Sequence, residues 1–543
     1  MEEGARSSLQ IRAPELDDFP ELIHRIQSLL PVKEGLRTCV LSKTCLQLWS
    51  TIPTLRFHQP LVFFSKEQKR NYIKWIDQTM QRYIRDNIPI ESFDLELVLK
   101  YGELFDDFDF KQNVWSTIMK KWMQFVASKS SLKELNLTVD VNTFSSLLSD
   151  EIFSGENLKS ISVRVYGYKF VSLNPLIKCV SLRVLDLYKV NLSEGVLDNL
   201  LSTCILLEKI SLSFVPRLGK VKVKNLMWLR ELRIATRDVG EQLDIKHAPS
   251  LRLLFYTCYH FQINGFTVDS LNNLRELGLC GEFVEDHAFL DMIKSKFPLL
   301  EILTLEIQYF SMETLSITSG SLKRLILRLL DKRPINIQVH APHLLYLSYT
   351  STTSMAKVLF QSMVPEQIDV EMNLDIISIH DYSLFLNMRE ALNIPSRFNI
   401  EINFSRIDNH PRPPMLDVNY LRRRVLFPAT NVQQLSIKTN PDERLWEHSP
   451  IFDALFWICH PKYVKICRHV PFKEDNYFWK LVVNWMMEKK TRKWHWPELK
   501  NIEVKNPYDG EWETVTSSWI SFLDGLPPVD WHYVKFKLKW CSL

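Results

Sequence analysis

Cys459, His460, Cys467 and His469 put four thiol and imidazole groups into one short stretch near the end of the chain. Side chains of these types hold zinc when four of them converge with finger-like spacing. Here the spacing matches no such pattern, and adjacent Cys459 and His460 are awkward as two ligands of one ion. A structural role is therefore expected, and no metal. Arg422 to Arg424 and Lys489 to Lys493 are basic runs, for which solvated surface is the expected role. The chain has only 14 glycines, and they form neither a phosphate-cradling loop nor a dinucleotide fingerprint. It shows no nucleophile elbow, no His-Glu-x-x-His pair and no spaced carboxylate–histidine cluster. The expectation is a protein that is not an enzyme, with no catalytic residue and no cofactor.

Composition narrows the class further. The chain has 543 residues, 46% hydrophobic and 24% charged, as in folded soluble proteins. A net charge of +4 is too small at this length to imply nucleic acid or an anionic membrane as partner. The start, MEEGARSSLQIRAPELDD, has acids where a signal peptide needs basic residues. No apolar run approaches the ~20 residues of a membrane helix. Nine cysteines run from Cys39 to Cys541 without framework spacing, and an odd number cannot all pair. Reduced thiols in a soluble intracellular protein, of cytoplasm or nucleus, are expected.

The strongest positional signal is a repeat. The pattern L-x-x-L-x-L occurs as Leu132-Leu135-Leu137, Leu158-Ile161-Val163, Leu182-Leu185-Leu187, Leu207-Ile210-Leu212 and Leu229-Leu232-Ile234. It continues as Leu251-Leu254-Tyr256, Leu274-Leu277-Leu279, Leu300-Leu303-Leu305, Leu322-Leu325-Leu327 and Leu344-Leu347-Tyr349. The period is about 23 to 24 residues, the range of leucine-rich repeats. One such unit buries too few side chains to offset the entropy of ordering it, so neighbours must stack on a shared core. This predicts an α/β fold: a curved leucine-rich-repeat solenoid with a parallel sheet on its concave side.

Longer copies are expected to return through helices, as in Ser193 to Cys204 and Glu285 to Lys296, and shorter ones through turns or loops. Before the repeats, Ile90 to Leu99 alternates as a first strand. Tyr72, Ile73, Ile76, Met80, Tyr83 and Ile84 form a helical stripe, as do Val114 to Val126. Later strands are expected at Ile368-Val370, Ile377-Ile379, Ile400-Ile402, Val432-Ile437, Leu499-Val504 and Tyr533 to Trp540, with a boundary at Asp408 to Pro414.

Alternation along each strand turns positions three, five and seven of the pattern away from the core. Tyr188, Arg233, Phe255, Arg324 and Tyr346 fall on that face. Exposed aromatics beside arginines suit binding of a target protein.

Ahead of the repeats, residues 16 to 57 read LDDFPELIHRIQSLLPVKEGLRTCVLSKTCLQLWSTIPTLRF. Phe19, Leu22, Ile23, Ile26, Leu29 and Leu30 share one helical face, with Pro20 just inside the helix. Pro31 opens a second helix bearing Leu36, Cys39 and Val40. Ser42 is placed to cap a third, carrying Cys45, Leu48, Trp49 and Ile52 until Pro53 stops it. Three helices this short cannot hide all these side chains from water, which predicts a docking module.

The stretch FPELIHRIQSLLPVKEGLRTCVLSKTCLQLW resembles an F-box, and VLSKTCLQLWSTIP is especially similar to the plant version. The repeats lack the regular asparagine of the standard consensus and resemble the divergent type of plant F-box/leucine-rich-repeat proteins. The resemblance implies the substrate receptor of an SCF-type ubiquitin ligase. Its partners would be a Skp-type adaptor, a cullin-RING ligase through that adaptor, and a target protein held by the repeats. It assigns adaptor binding to Phe19, Pro20, Leu22, Ile23, Ile26, Leu29, Leu30, Pro31, Leu36, Val40, Leu41, Cys45, Leu48 and Trp49. Cys45 stands where the family usually has tryptophan, so Cys45→Trp is expected to strengthen adaptor binding. A degenerate F-box on a plain interaction scaffold is the alternative. The expected organisation is a disordered tail over 1–14, F-box over 15–58, helical linker over 59–89, repeat solenoid over 90–375 and an irregular repeat-like region over 376–543.

Overall fold

The computed structural model describes residues 16–30, 32–58, 65–98, 112–140, 153, 155–166, 171–173, 177–192, 194–215, 219–236, 242–258, 266–269, 271–283, 293, 295–310, 313–330, 336–351, 357–360, 368–375, 382–394, 396–404, 418–439, 450–468, 479–480, 482–484, 486–487, 499–506, 510–516, 518–519, 521, 523 and 533–541. The expected tail over 1–14, Pro31, the strand at Ile377-Ile379, the boundary at Asp408 to Pro414, the basic run from Lys489 and His469 lie outside these residues. The chain forms two compact units, Met1–Leu251 with Gly265–Asp269, and Arg252–Asn264 with Ser270–Leu543.

The first unit opens with three short helices, α1 (Pro20–Leu29), α2 (Val32–Thr38) and α3 (Lys43–Trp49). Pro20 occupies the first turn of α1, where a missing N–H costs nothing. Ser42 caps α3, its Oγ accepting from the Cys45 N–H at 3.0 Å. Beyond Pro53 the chain passes directly into a strand, Thr54–Phe57, which pairs in parallel with Ser92–Leu97. That strand lies inside the stretch read from sequence as F-box. The crossover carries α4 (Lys66–Arg85), opened by a Ser65/Gln68 capping box and burying Tyr72, Ile73, Ile76, Met80 and Tyr83.

The sheet then grows through Glu134–Asp140, Ser160–Tyr166, Val184–Tyr188, Lys209–Ser213 and Glu231–Thr236, making seven parallel strands among the described residues. Leu135, Ile161, Leu185, Ile210 and Leu232 stand in register as one buried row, and Leu137, Val163, Leu187, Leu212 and Ile234 as the next. Each strand completes the apolar contacts of its neighbour, which is why the unit works only as a stack.

Helix returns occur at α5 (Gln112–Ala127) and at α6 (Glu194–Thr203), close to the predicted Ser193 to Cys204. Short repeats do not return through loops as expected. Lys220–Lys224, Gln242–Lys246 and Phe266–Val268 form a second parallel sheet, and Val171–Leu173 pairs with Val190–Leu192. The signal was present in KVKVK and QLDIK, whose alternation buries Val221, Val223, Leu243 and Ile245.

The second unit continues the same logic. Leu253–Cys258, Glu276–Phe283, Ile302–Phe310, Arg324–Leu329 and Tyr346–Ser351 pair in parallel, so each of the ten sequence repeats corresponds to one strand. Asp369–Asp375, Arg397–Asn403, Val432–Thr439 and Tyr463–Arg468 extend the run. Thr314–Thr318, Asn336–His340 and Lys357–Phe360 form another second-layer sheet where loops were expected. Helices α7 (Ser383–Ala391), α8 (Val418–Arg424) and α9 (Pro450–Ile458) serve the last crossovers.

Direction reverses at the end. Tyr533–Trp540 pairs antiparallel with Tyr463–Arg468 on one side and Leu499–Lys505 on the other, and Trp512–Thr514 adds to Leu499–Lys505.

Candidate functional site

Two surfaces carry the sequence-predicted sites. The first is the three-helix module. The single apolar stripe read on α1 is divided by its packing. Ile23 and Gln27, four residues apart, turn inward, while Phe19, Leu22, Ile26 and Leu29 point to solvent, Leu29 being 64% exposed. Pro20, Leu36, Val40 and Leu41 are exposed as well, with Val40 and Leu41 in the turn between α2 and α3. Leu30 and Leu48 are half-buried. Leu16 and Leu46, which the sequence reading did not single out, add to the exposed set. Soluble monomers rarely leave a contiguous apolar patch of more than a few hundred Å² uncovered, so such a face calls for a partner.

Ile23, Cys45 and Trp49 form the interior of the module and present almost nothing to a partner. Cys45 is only 2% exposed. Position 45 is thus a matter of internal packing, and the expected gain in adaptor contact from Cys45→Trp is not what this geometry supports.

Gln27 ties the three helices together, its Nε2 donating to Thr38 Oγ1 at 2.7 Å and to the Cys45 carbonyl at 2.9 Å. Gly35 lets α2 close on α3: a Cβ there would stand 3.2 Å from Trp49 Cδ1. The rest of the first unit grips the module from below. The Arg82 guanidinium lies 4.3 Å over the Trp49 ring. The Tyr83 hydroxyl donates to the Ile52 carbonyl at 2.8 Å, and burial pushes its pKa up to about 12. Glu91 N–H donates to the Pro53 carbonyl at 2.7 Å, and Arg56 to the Leu29 carbonyl at 3.2 Å. The module is therefore a fixed extension of the first strands.

The second surface is the outward face of the sheets. In the first unit Tyr188 stands between Tyr166 and Phe214, with ring centroids at 5.5 and 5.4 Å. Arg233 sits on the same face in register with Ser211 and Asp186. In the second unit Arg324 and Tyr346 are brought together, the guanidinium 4.7 Å from the ring, and the Tyr346 hydroxyl donates to Glu371. Burial leads that hydrogen bond in raising the Tyr346 pKa above its ordinary value. Phe255 lies in a different row, its ring filling the space a Cβ on Gly278 would need.

The Cys/His group does not assemble as a metal site among its described members. Cys459 is buried with its Sγ–H donating to the Leu455 carbonyl, and His460 stacks on Trp540 at 3.8 Å. Burial lowers the His460 pKa to about 4 and raises the Cys459 thiol to about 12. Among the described residues no group of three metal-ligand side chains converges, and no helix is long and apolar enough to cross a membrane.

Fold and surfaces together define a leucine-rich-repeat solenoid protein whose N-terminal helical module exposes an apolar face. Known proteins of similar sequence belong to the same class. The family described as FBD-associated F-box protein At5g56370, LRR repeats, matches residues 119–266 and 244–364. F-box protein At5g03100 of Arabidopsis thaliana is 26% identical over 241 residues, 44% of this chain and 68% of that protein. F-box/LRR-repeat protein At3g03360 of the same plant is 26% identical over 245 residues, 43% of this chain and 46% of its own length. F-box/LRR-repeat protein 25 is 27% identical over 223 residues, 40% of this chain and 74% of its own. In its repeat region the chain is similar to plant F-box/leucine-rich-repeat proteins.

Proposed function

We propose that this protein is the substrate-recognition subunit of an SCF-type ubiquitin ligase. The helical module docks on a Skp-type adaptor, and through it a cullin-RING ligase, while the repeats hold the target. The observation that carries the reading is the split of the α1 stripe: Ile23 and Gln27 inward, Phe19, Leu22, Ile26 and Leu29 outward and exposed. The repeat match to F-box proteins supports a Skp-type adaptor as the partner of that face.

In this reading no side chain here is catalytic. The chemistry is proximity, because tethering raises the effective concentration of target lysines near the ubiquitin donor. The fixed junction at Pro53 and Thr54–Phe57 supports the role, since a tether positions its cargo better when it does not bend.

The test is capture of a purified Skp-type adaptor by the full chain, by Leu29→Asp and by Leu36→Asp. Both leucines are exposed, so the substitutions spare the interior of the module. Wild type should bind and both variants should lose most of the binding. Failure of the wild type to bind overturns the ligase reading and leaves a repeat-based scaffold.

A further inference from the structure

On the outward face of the second unit's sheet, charge is mostly answered by opposite charge on the next strand. Arg328 meets Glu306 at 3.3 Å, Lys438 meets Glu401 at 2.7 Å and Lys537 meets Glu503 at 2.8 Å, and just before two of the strands Lys323 meets Glu301 at 3.1 Å. One row departs from this. Lys465 and Lys535 are direct register partners on antiparallel strands. On the other side of Lys535, Val504 pairs with Phe536, which places Lys505 opposite Lys535. Three lysines thus stand side by side on adjacent strands, about 4.8 Å apart from one to the next.

Their neighbours along the strands, Val464, Ile466, Val504, Val534 and Phe536, are buried, so the lysines face out. Among the described residues none of the three meets a carboxylate within ion-pair distance. Aromatic rings hold two of them instead. Lys465 Nζ lies 4.3 Å from the Tyr533 centroid and Lys535 Nζ 4.7 Å from that of Tyr463, which in turn packs on Trp512 at 5.8 Å. A ring attracts an ammonium through its quadrupole but carries no net charge. Like charges directly opposite across strands cost stability. The strain is visible at Lys535, whose pKa is lowered by burial and then by Lys505 and Lys465.

We propose that this row is a docking site for an acidic peptide segment of a partner protein. Side-chain carboxylates would lie over Lys465, Lys535 and Lys505, and apolar side chains on Tyr533, Tyr463 and Trp512. A line of separate cations matches anions distributed along a chain: acids three or four apart on a helix face recur at about 5 to 6 Å. The inference deepens the target-holding role proposed above, and rests on it only in calling the partner a target.

The probe is a fluorescein-labelled, glutamate-rich peptide interspersed with leucines, titrated into the full chain by anisotropy. A glutamine version and a phosphoserine version serve for comparison. The glutamate peptide should bind and weaken as salt is added. The combined variant Lys465→Gln, Lys505→Gln and Lys535→Gln should bind it about tenfold more weakly, as expected for partly exposed ion pairs. Lys323→Gln, whose lysine already pairs with Glu301, should leave the affinity unchanged.

Removing three mutually repelling charges should not lower the melting temperature, so loss of binding would not reflect unfolding. Equal binding of the glutamine peptide, or unchanged affinity in the triple variant, overturns the proposal. Binding of the phosphoserine peptide alone overturns the choice of carboxylates. Adaptor capture by the same preparations separates the two readings. Peptide binding without adaptor binding counts against the ligase role only, and the reverse counts against this site only.

Discussion

Replacing Gln27 with alanine should open the helical module while leaving the repeats intact. Gln27 is 2% exposed and supplies the donor for the Cys45 carbonyl and for Thr38 Oγ1. Alanine removes this donor from two acceptors, costing about 1–3 kcal/mol, and adds a cavity term of the same order, offset in part by loss of the Gln27 Oε1, which is buried without a partner. The sum, about 2–6 kcal/mol before that offset, centres near ~3 kcal/mol after it and is comparable to what three short helices can hold. A loss of ~3 kcal/mol raises the open population by roughly two orders of magnitude.

Amide hydrogen exchange on the full chain reads this directly. Protection in Pro20–Leu29 and Lys43–Trp49 should fall by about that factor, while Ser160–Tyr166 and Lys209–Ser213 stay unchanged. Gln27→Leu keeps the volume but not the donor, and should still cost about 1–3 kcal/mol. Leu29→Asp should lose the adaptor without losing protection. Undiminished protection in Gln27→Ala would refute the assignment of Gln27 as the tie between the helices.

Three further outcomes follow from the geometry. Cys45→Trp forces an indole into a closed interior and should destabilise the module by at least about 1–3 kcal/mol, weakening adaptor capture; tighter capture would show that position 45 reaches the partner. His460 is held neutral by burial with a folded pKa of about 4, below the ordinary 6.5, so the unfolded chain binds the extra proton first. Stability from it is full above pH 6.5 and is lost as pH falls toward 4, by up to about 3 kcal/mol; urea melts across that window should show the slope, and His460→Phe should flatten it. Deletion up to Phe57 removes a sheet strand as well as the helices and should expose Ser92–Leu97 to exchange, whereas deletion ending before Ile52 should not.

The sequence by itself determined the repeating layer. Alternation of apolar and polar residues is local, and ten copies in phase leave a stacked parallel sheet as the way to bury Leu135, Leu185 and their counterparts. It also marked the Ser42 cap, the α4 stripe and the surplus of apolar residues in the module. The second-layer strands carry the same alternation, as in Lys220–Lys224, but a segment this short becomes a strand only through the partner that the next repeat supplies.

Which apolar residues of the α1 stripe stay exposed was decided by tertiary packing. Phe19 and Ile23 are equally apolar, and only the approach of α2 and α3 distinguishes them. Cys45 is the clearest case: its type suggested a weakened contact, while its place in the fold makes it part of the interior. The lysine row is the extreme one. Residues 465, 505 and 535 are far apart along the chain, and they meet because the last strand inserts antiparallel between two others, a pairing no local pattern encodes.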